Sequence, residues 1–140
     1  MVDKELLYGT LKKYFGYDSF REGQEELITN TLQGKDVLGI MPTSGGKSLC
    51  YQLPALLLDG MTIVVSPLVS LMKDQVDSLR EMGIAAAYLN STLSREEFLQ
   101  LMDDMRSGQL KLLYIAPERI DNESFMNALR FVKVPLLVVD

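Results

Sequence analysis

The feature that most constrains this chain is the octapeptide Met-Pro-Thr-Ser-Gly-Gly-Lys-Ser at residues 41–48. A short apolar run at residues 37–40 precedes it, and residues 49–53 after it are compatible with a helix. The layout is therefore strand, tight loop, helix, which presents backbone N–H groups at the positive end of a helix. Such groups hold the negative charges of a polyphosphate, so the octapeptide predicts a phosphate-binding loop.

Two side chains of the loop would complete a site of this kind. Lys47 would reach the terminal phosphates as a point charge, and the Ser48 hydroxyl would complete the ligand shell of a bridging Mg²⁺ ion. The strict pattern G-x-x-x-x-G-K-[ST] is not met, because Met41 stands where the first glycine belongs. Taken alone, Gly-Gly-Lys-Ser is also compatible with an ordinary turn before a helix. The flanking sequence is therefore needed to distinguish a phosphate-binding loop from such a turn.

Composition narrows the class of protein. The 140 residues, of which 47% are hydrophobic, are enough for a single domain with a buried hydrophobic core. A net charge of −5 does not indicate a nucleic-acid or anionic-membrane partner, so any such site must be local. The one cysteine, Cys50, excludes an internal disulfide and is interpreted as a small buried hydrophobe. The charged N-terminus and the lack of a long apolar run predict a soluble cytoplasmic domain.

Helical and strand patterns alternate along the chain. Asp3 caps a first helix that Gly16 ends, and a second helix ends near Gly34. The helix after the loop contains Pro54, which we expect to bend or interrupt it. A capping box at Ser94 and Glu97 starts a further helix. Strands are predicted at residues 36–40, 61–65, 84–89, 110–115 and 135–140, and the other helices at residues 68–82 and 122–131.

This alternation predicts an α/β fold: a doubly wound, mainly parallel sheet with helices on both faces. Ligands of such sheets bind beyond the carboxyl ends of the strands. We expect the candidate segments to meet at that edge, namely residues 41–48, 66–67, 90–91 and 114–119 and Asp140.

After the loop at residues 41–48, Asp140 is the second feature that indicates a phosphate and Mg²⁺ site. An Asp that ends a buried strand downstream of a phosphate loop is well placed to hold Mg²⁺ through water and to fix the geometry of Ser48. An isolated Asp at a strand end more often caps the next turn. Its pairing with Lys47 and Ser48 favours the metal role.

Four stretches in order and spacing resemble the N-terminal part of the first RecA-like motor lobe of RecQ-family, superfamily 2, ATP-dependent DNA helicases. They are Phe-Gly-Tyr-Asp-Ser-Phe-Arg-Glu-Gly-Gln at residues 15–24, the loop and its continuation at 41–55, Val-Ser-Pro-Leu-Val-Ser-Leu-Met-Lys-Asp-Gln at 65–75, and Tyr-Ile-Ala-Pro-Glu-Arg at 114–119. The resemblance covers essentially the whole chain.

The resemblance implies ATP and Mg²⁺ as cofactors. Gln24 corresponds to an adenine-reading glutamine, and Tyr17 or Arg21 offers a flat face for stacking. Without its neighbours, Gln24 would be interpreted as a solvent-facing helical residue. Lys47 and Asp140 are the implied catalytic residues, with Ser48 and Asp140 as metal ligands. The remaining implied nucleotide contacts are Thr43, Ser44, Gly45 and Gly46.

The resemblance also implies single-stranded or partly duplex DNA as a partner. Small hydroxyls, amides and backbone N–H groups hold phosphates without reading sequence, which is compatible with the acidic composition. Taken singly, these positions are equally well interpreted as strand-ending turns and solvated helix faces. The implied DNA-facing residues are Ser66, Pro67, Ser70, Lys73, Asn90, Ser91 and Arg119.

Two departures from the family pattern matter. Ser44 stands where such helicases commonly have Gly, which limits positive φ in the loop. The Asp-Glu-x-His box stops at Asp140, so we expect residues 1–140 alone to be inactive without a second motor lobe. The resemblance implies, for the parent enzyme, 3′-to-5′ unwinding in DNA repair and recombination in a bacterial cytoplasm or nucleoid. A small P-loop kinase or metabolic NTPase and a non-catalytic nucleotide-binding module remain the alternatives.

Overall fold

The computed structural model of the chain describes residues 2–41 and 46–140. The chain divides into two compact units, Met1–Leu58 (unit 1) and Asp59–Asp140 (unit 2). The single domain predicted from chain length stays a prediction. Within the described residues, no helix is long and apolar enough to cross a membrane.

Unit 1 is helical. Its helices are α1 (Lys4–Thr10), which continues as one π-helical turn (Leu11–Phe15), α2 (Gln24–Leu32) and α3 (Leu49–Leu57). The Asp3 carboxylate accepts the Glu5 N–H at 3.0 Å and starts α1, as predicted. Apolar side chains at helical spacing form a common cluster whose buried members are Leu7, Leu11, Ile28, Leu49 and Leu53.

The prediction of a strand at residues 36–40 is wrong. The structure gives these residues no regular secondary structure, and the Leu38 and Ile40 side chains are 86% and 89% exposed. An apolar, β-branched run favours extended backbone, but a strand also requires a neighbour that accepts and donates its ladder hydrogen bonds. All four strands that the structure describes lie in unit 2, between residues 62 and 139.

Pro54 does not interrupt α3, contrary to one of the two outcomes predicted for it. The helix runs through it from Leu49 to Leu57, and the Leu58 N–H donates to the Pro54 carbonyl at 3.0 Å. Proline removes one hydrogen-bond donor from the helix, but Pro54 is buried and the helix continues past it.

Unit 2 is an α/β unit with one sheet. Its elements in chain order are β1 (Thr62–Val65), α4 (Val69–Glu81), β2 (Ala86–Leu89), α5 (Arg95–Arg106), β3 (Leu112–Ile115), a 3₁₀ turn (Pro117–Arg119), α6 (Glu123–Leu129) and β4 (Leu136–Val139). The strand order is β2-β3-β1-β4, and every pair is parallel. The predicted α/β class and parallel sheet are confirmed.

The sheet is wound in both directions. From β1 the chain steps outward to β2 and then returns across the sheet to β3 and β4. Because parallel crossovers are right-handed, a reversal of direction sends the connecting helices to opposite faces. Ile63 and Ile115 on one face pack in a cluster with Met102 of α5 and Phe125 of α6. Before the reversal, α4 connects β1 to β2 and packs against β2.

The capping box that starts α5 is present as predicted. Ser94 Oγ accepts the Glu97 N–H at 3.1 Å, and the Glu97 carboxylate accepts the Ser94 N–H at 2.9 Å. The two hydrogen bonds satisfy backbone donors that the first helical turn leaves without intrahelical partners. The Ser94 backbone N–H, and after it the Ser94 hydroxyl, stabilise the charged carboxylate and lower the pKa of Glu97.

We predict that Ser94→Ala lowers the free energy of unfolding by about 1 kcal/mol, because it removes the side-chain acceptor of the cap. Ser78→Ala is the matched control: Ser78 is exposed within α4, where alanine is the better helix former. Urea denaturation followed by circular dichroism measures both. Equal effects of the two substitutions would contradict the role given to the cap.

Candidate functional site

Gln24, the first residue of α2, is the most enclosed of the described residues proposed to contact nucleotide. The residue is 3% exposed. Oε1 accepts the Arg21 N–H at 2.8 Å, and Nε2 donates to the Gly46 carbonyl at 3.1 Å. The carboxamide therefore joins the start of α2 to the end of the loop, and these two bonds fix which end of the amide is oxygen.

Glycine is required at Gly46 for two reasons. Its φ of 73° lies in the left-handed region, which side chains disfavour. A Cβ at this position would also lie 2.5 Å from Gln24 Nε2. Arg21 Nη1 lies 3.9 Å from the same position, so the structure brings Arg21, Gln24 and Gly46 together.

Lys47 and Ser48 directly precede α3. Ser48 makes no side-chain capping bond to α3, although its carbonyl accepts the Gln52 N–H at 2.9 Å and closes the first turn. The Ser48 hydroxyl is therefore not used to cap its own helix. Lys47 is exposed. Thr43, Ser44 and Gly45 lie outside the described residues.

Tyr17, the other candidate for stacking, is 54% exposed, and no ring contact is described for it. The structure thus places Gln24 and Arg21 beside Gly46. The role of Tyr17 stays a prediction.

Cys50 lies on α3, as predicted, and is half-buried. Its Sγ is 3.6 Å from Met41 Sδ and 3.9 Å from the Gly46 carbonyl oxygen. Burial raises the pKa of the thiol. The side chain therefore stays neutral at pH 7 and behaves as a small packing residue, not as a reactive thiolate.

In unit 2, the carboxyl ends of all four strands meet at one edge. The register aligns Val65 of β1 with Ile115 of β3 and with Val139 of β4, and Leu89 of β2 with Ile115. The next residues continue the ladder, since the Ser66 N–H donates to the Ile115 carbonyl at 3.1 Å and the Asp140 N–H to the Val65 carbonyl at 2.9 Å. The edge predicted for the unit 2 segments is confirmed.

Two of the polar side chains at this edge stabilise the turns that follow their strands. Ser66 Oγ, in a side chain that is 6% exposed, accepts the Leu68 N–H at 3.2 Å. Asn90, 5% exposed, accepts the Thr92 N–H at 2.8 Å and the Thr92 hydroxyl at 2.6 Å. Both residues shape the edge through their turns, which is a common use of Ser and Asn after strands. Among the other predicted DNA contacts, the exposed residues are Pro67, Ser70, Lys73 and Ser91.

Lys73 on α4 forms an ion pair with Asp77, with 2.7 Å between Nζ and Oδ2. The hydrogen bond and charge of Asp77 raise the pKa of Lys73. Both side chains are exposed, and such a pair exchanges readily for another anion.

Arg119 ends the 3₁₀ turn after β3. Its Nε is buried and has no hydrogen-bond partner within the part of the chain that the structure describes. Arg119 lines a cavity of about 240 Å³ together with Arg95 and Phe98 of α5. No sequence motif indicated Arg95 or Phe98, and the only nearby signal was the capping box.

The magnesium ligand pair stays a prediction, because Ser48 belongs to unit 1 and Asp140 to unit 2. Over residues 2–41 and 46–140, no group of three or more His, Cys, Asp or Glu side chains is arranged to hold a metal ion.

Comparison with known proteins defines the class. The DEAD/DEAH box helicase family model matches residues 21–140, and the chain belongs to this family. It is 49% identical over 140 residues to the ATP-dependent DNA helicase RecQ of Haemophilus influenzae and 50% identical over 131 residues to that of Bacillus subtilis. These alignments cover 100% and 93% of this chain but only 23% and 22% of the relatives.

A solved structure shares the fold. It is the crystal structure of a hypothetical ATP-dependent RNA helicase from Sulfolobus tokodaii, with a TM-score of 0.70 and 22% sequence identity. The match covers 99% of this chain and 41% of that chain. At this identity the likeness supports the RecA-like α/β architecture alone.

We predict that Gly46→Ala destabilises unit 1 more than Gly34→Ala does. Both glycines have positive φ, which costs an alanine about 1 kcal/mol, but only at Gly46 does the new Cβ meet another side chain. Urea denaturation of the single substitutions and of Gly46→Ala combined with Gln24→Ala measures the difference. The extra cost of Gly46→Ala should disappear in the Gln24→Ala background. An extra cost that persists there would contradict the contact.

Proposed function

We propose that this chain is the nucleotide-binding part of an ATP-dependent DNA helicase of the RecQ type. The observation that carries the proposal is the hydrogen bond from the buried Gln24 amide to Gly46, directly before Lys47 and Ser48. A nucleobase that pairs with this amide contacts the same side chain that holds the loop. Base recognition and phosphate binding are then mechanically linked through one residue.

The residues beside the loop suit a nucleoside triphosphate. The start of α3 supplies the positive end of a helix dipole, and Lys47 adds a full positive charge. The Ser48 hydroxyl and the Asp140 carboxylate are hard oxygen ligands of the kind that Mg²⁺ prefers. Bound Mg²⁺ would neutralise charge on the β- and γ-phosphates. In this role Lys47 orients and stabilises the terminal phosphates, and Arg21 and Gln24 position the base.

The edge of unit 2 suits a nucleic-acid backbone. It carries turn amides and small hydroxyls after three parallel strands, with the cations Lys73 and Arg119 beside them. Groups of this kind contact phosphates independently of sequence. A local strip of donors also explains how a chain with a net charge of −5 could bind DNA.

Activities of a whole helicase are proposed for a protein that contains this chain. The chain spans less than a quarter of the Haemophilus and Bacillus relatives that it matches. We therefore assign ATP hydrolysis, 3′-to-5′ unwinding and cooperation with a second motor lobe to the longer protein. A cytoplasmic location remains part of the same proposal.

We predict that ADP with Mg²⁺ raises the thermal unfolding temperature of the chain and that Lys47→Ala removes most of this shift. A ligand that binds only the folded state stabilises it in proportion to the logarithm of its concentration above Kd. Lys35→Ala is the matched control, since Lys35 is an exposed lysine of the same unit whose side chain donates a hydrogen bond to Asn30. Differential scanning fluorimetry over a series of ADP concentrations gives the shift.

Two results would contradict the proposed nucleotide site. One is the absence of any shift at millimolar ADP or ATP. The other is an equal shift in the wild type and in Lys47→Ala, which would place the bound nucleotide elsewhere.

A further inference from the structure

Tyr8 of α1 contacts both ends of residues 20–25, which we call the base segment. Its ring meets the Phe20 ring edge-on, with 5.1 Å between the ring centroids and 70° between the ring planes. Its hydroxyl donates a hydrogen bond to Glu25 Oε1. One side chain of α1 therefore holds the base segment at its first and at its last residue.

Between these two contacts, the base segment forms a tight turn that is closed by its own hydrogen bonds. The Gln24 N–H donates to the Arg21 carbonyl at 3.1 Å, and the Arg21 N–H donates to Gln24 Oε1 at 2.8 Å. Gly23 has a φ of 86° and offers no side chain to cap α2. The orientation of the Gln24 amide therefore depends on how the turn as a whole is held.

The two contacts of Tyr8 differ in kind. Phe20 packs against the buried cluster of unit 1, so the ring contact ties Tyr8 to a fixed part of that unit. The hydroxyl contact is a hydrogen bond to a carboxylate, which is stronger than a bond between neutral groups. This hydrogen bond raises the pKa of Tyr8.

Packing alone does not account for a tyrosine at this position. Tyr8 is 37% exposed, whereas its neighbour Leu7 is fully buried in the cluster of unit 1. An aliphatic side chain would cover the same surface without a polar group. What tyrosine adds is a flat ring that meets Phe20 and a donor that reaches Glu25.

We propose that Tyr8 is a positioning residue of the nucleotide site: by holding both ends of the base segment, it fixes the direction in which the Gln24 amide meets the base. The inference rests on the proposed function and adds to it a residue that no motif indicated. Tyr8 also precedes residue 21, where the match to the helicase family begins. In this role Tyr8 acts through Gln24 and is not itself in contact with the nucleotide.

Isothermal titration calorimetry with two ligands tests this role. The ligands are ADP and inorganic tripolyphosphate, both with Mg²⁺, and only ADP carries a base. Tyr8→Phe removes the hydroxyl and keeps the ring, and it should weaken ADP binding about 3-fold, as loss of one hydrogen bond predicts. Tyr8→Leu also removes the ring contact and should weaken ADP binding about 10-fold. Both substitutions should weaken tripolyphosphate binding less than ADP binding.

Substitutions at Glu25 test whether the hydroxyl acts through its carboxylate. Glu25→Leu removes the acceptor and should weaken ADP binding as much as Tyr8→Phe does, whereas Glu25→Gln keeps an acceptor oxygen and should weaken it less. Tyr8→Phe should cause no further loss in the Glu25→Leu background.

Tyr14→Phe is the matched control, because it removes a tyrosine hydroxyl from the turn that continues α1. The Tyr14 ring lies 5.1 Å from Lys13 Nζ, a contact that phenylalanine retains. Both dissociation constants should therefore match those of the wild type. Thermal unfolding of every variant without ligand shows that the proteins compared are folded at the titration temperature.

The contradictory outcomes identify which claim fails. ADP affinities of Tyr8→Phe and Tyr8→Leu that equal the wild type would reduce Tyr8 to a packing residue and leave the nucleotide site intact. Equal losses for ADP and tripolyphosphate would also overturn the inference, because the effect would then not depend on the base. A wild type that binds neither ligand would instead overturn the proposed nucleotide site, and this inference with it.

Discussion

The parallel hydrogen-bond ladder of unit 2 is the constraint on which its candidate DNA site depends. Because all four strands run the same way and in register, three separate turns are placed side by side after Val65, Leu89 and Ile115, next to Asp140 at the end of β4. Each turn is then fixed by its own short-range bonds, such as those of Ser66 and Asn90. The edge is thus built from backbone geometry first, and its side chains mainly hold the turns in shape. A surface of this construction suits a ligand with a repeating backbone.

In unit 1, a polar contact between distant residues holds the end of the loop. Gln24 and Gly46 are 22 residues apart in sequence, and their hydrogen bond ties the start of α2 to the start of α3 through the end of the loop. The glycine permits both the positive φ and the close approach of the amide. Adenine recognition and loop geometry therefore share one side chain under the proposed function.

Local features of this fold were predictable from the sequence, and those that need distant partners were not. The Asp3 cap, the capping box at Ser94 and the parallel strands were predicted because each depends on neighbouring residues or on a strong apolar pattern. The strand predicted at residues 36–40 is wrong because strand formation depends on a pairing partner that local propensity does not reveal. The cavity was missed for a similar reason, since Leu93, Phe98 and Arg119 come from segments that only the fold brings together.

The central proposal is that these residues form the ATP-binding part of an ATP-driven motor that acts on DNA. The most direct test is the ATPase rate of a chimera in which this chain replaces the matching N-terminal segment of Haemophilus influenzae RecQ, to which it is 49% identical. The account predicts ATP hydrolysis that single-stranded DNA stimulates and that Lys47→Ala reduces roughly 100-fold, as expected for loss of a charge that stabilises the transition state. A folded chimera whose ATPase rate is the same with and without DNA, or is unaffected by Lys47→Ala, would contradict it.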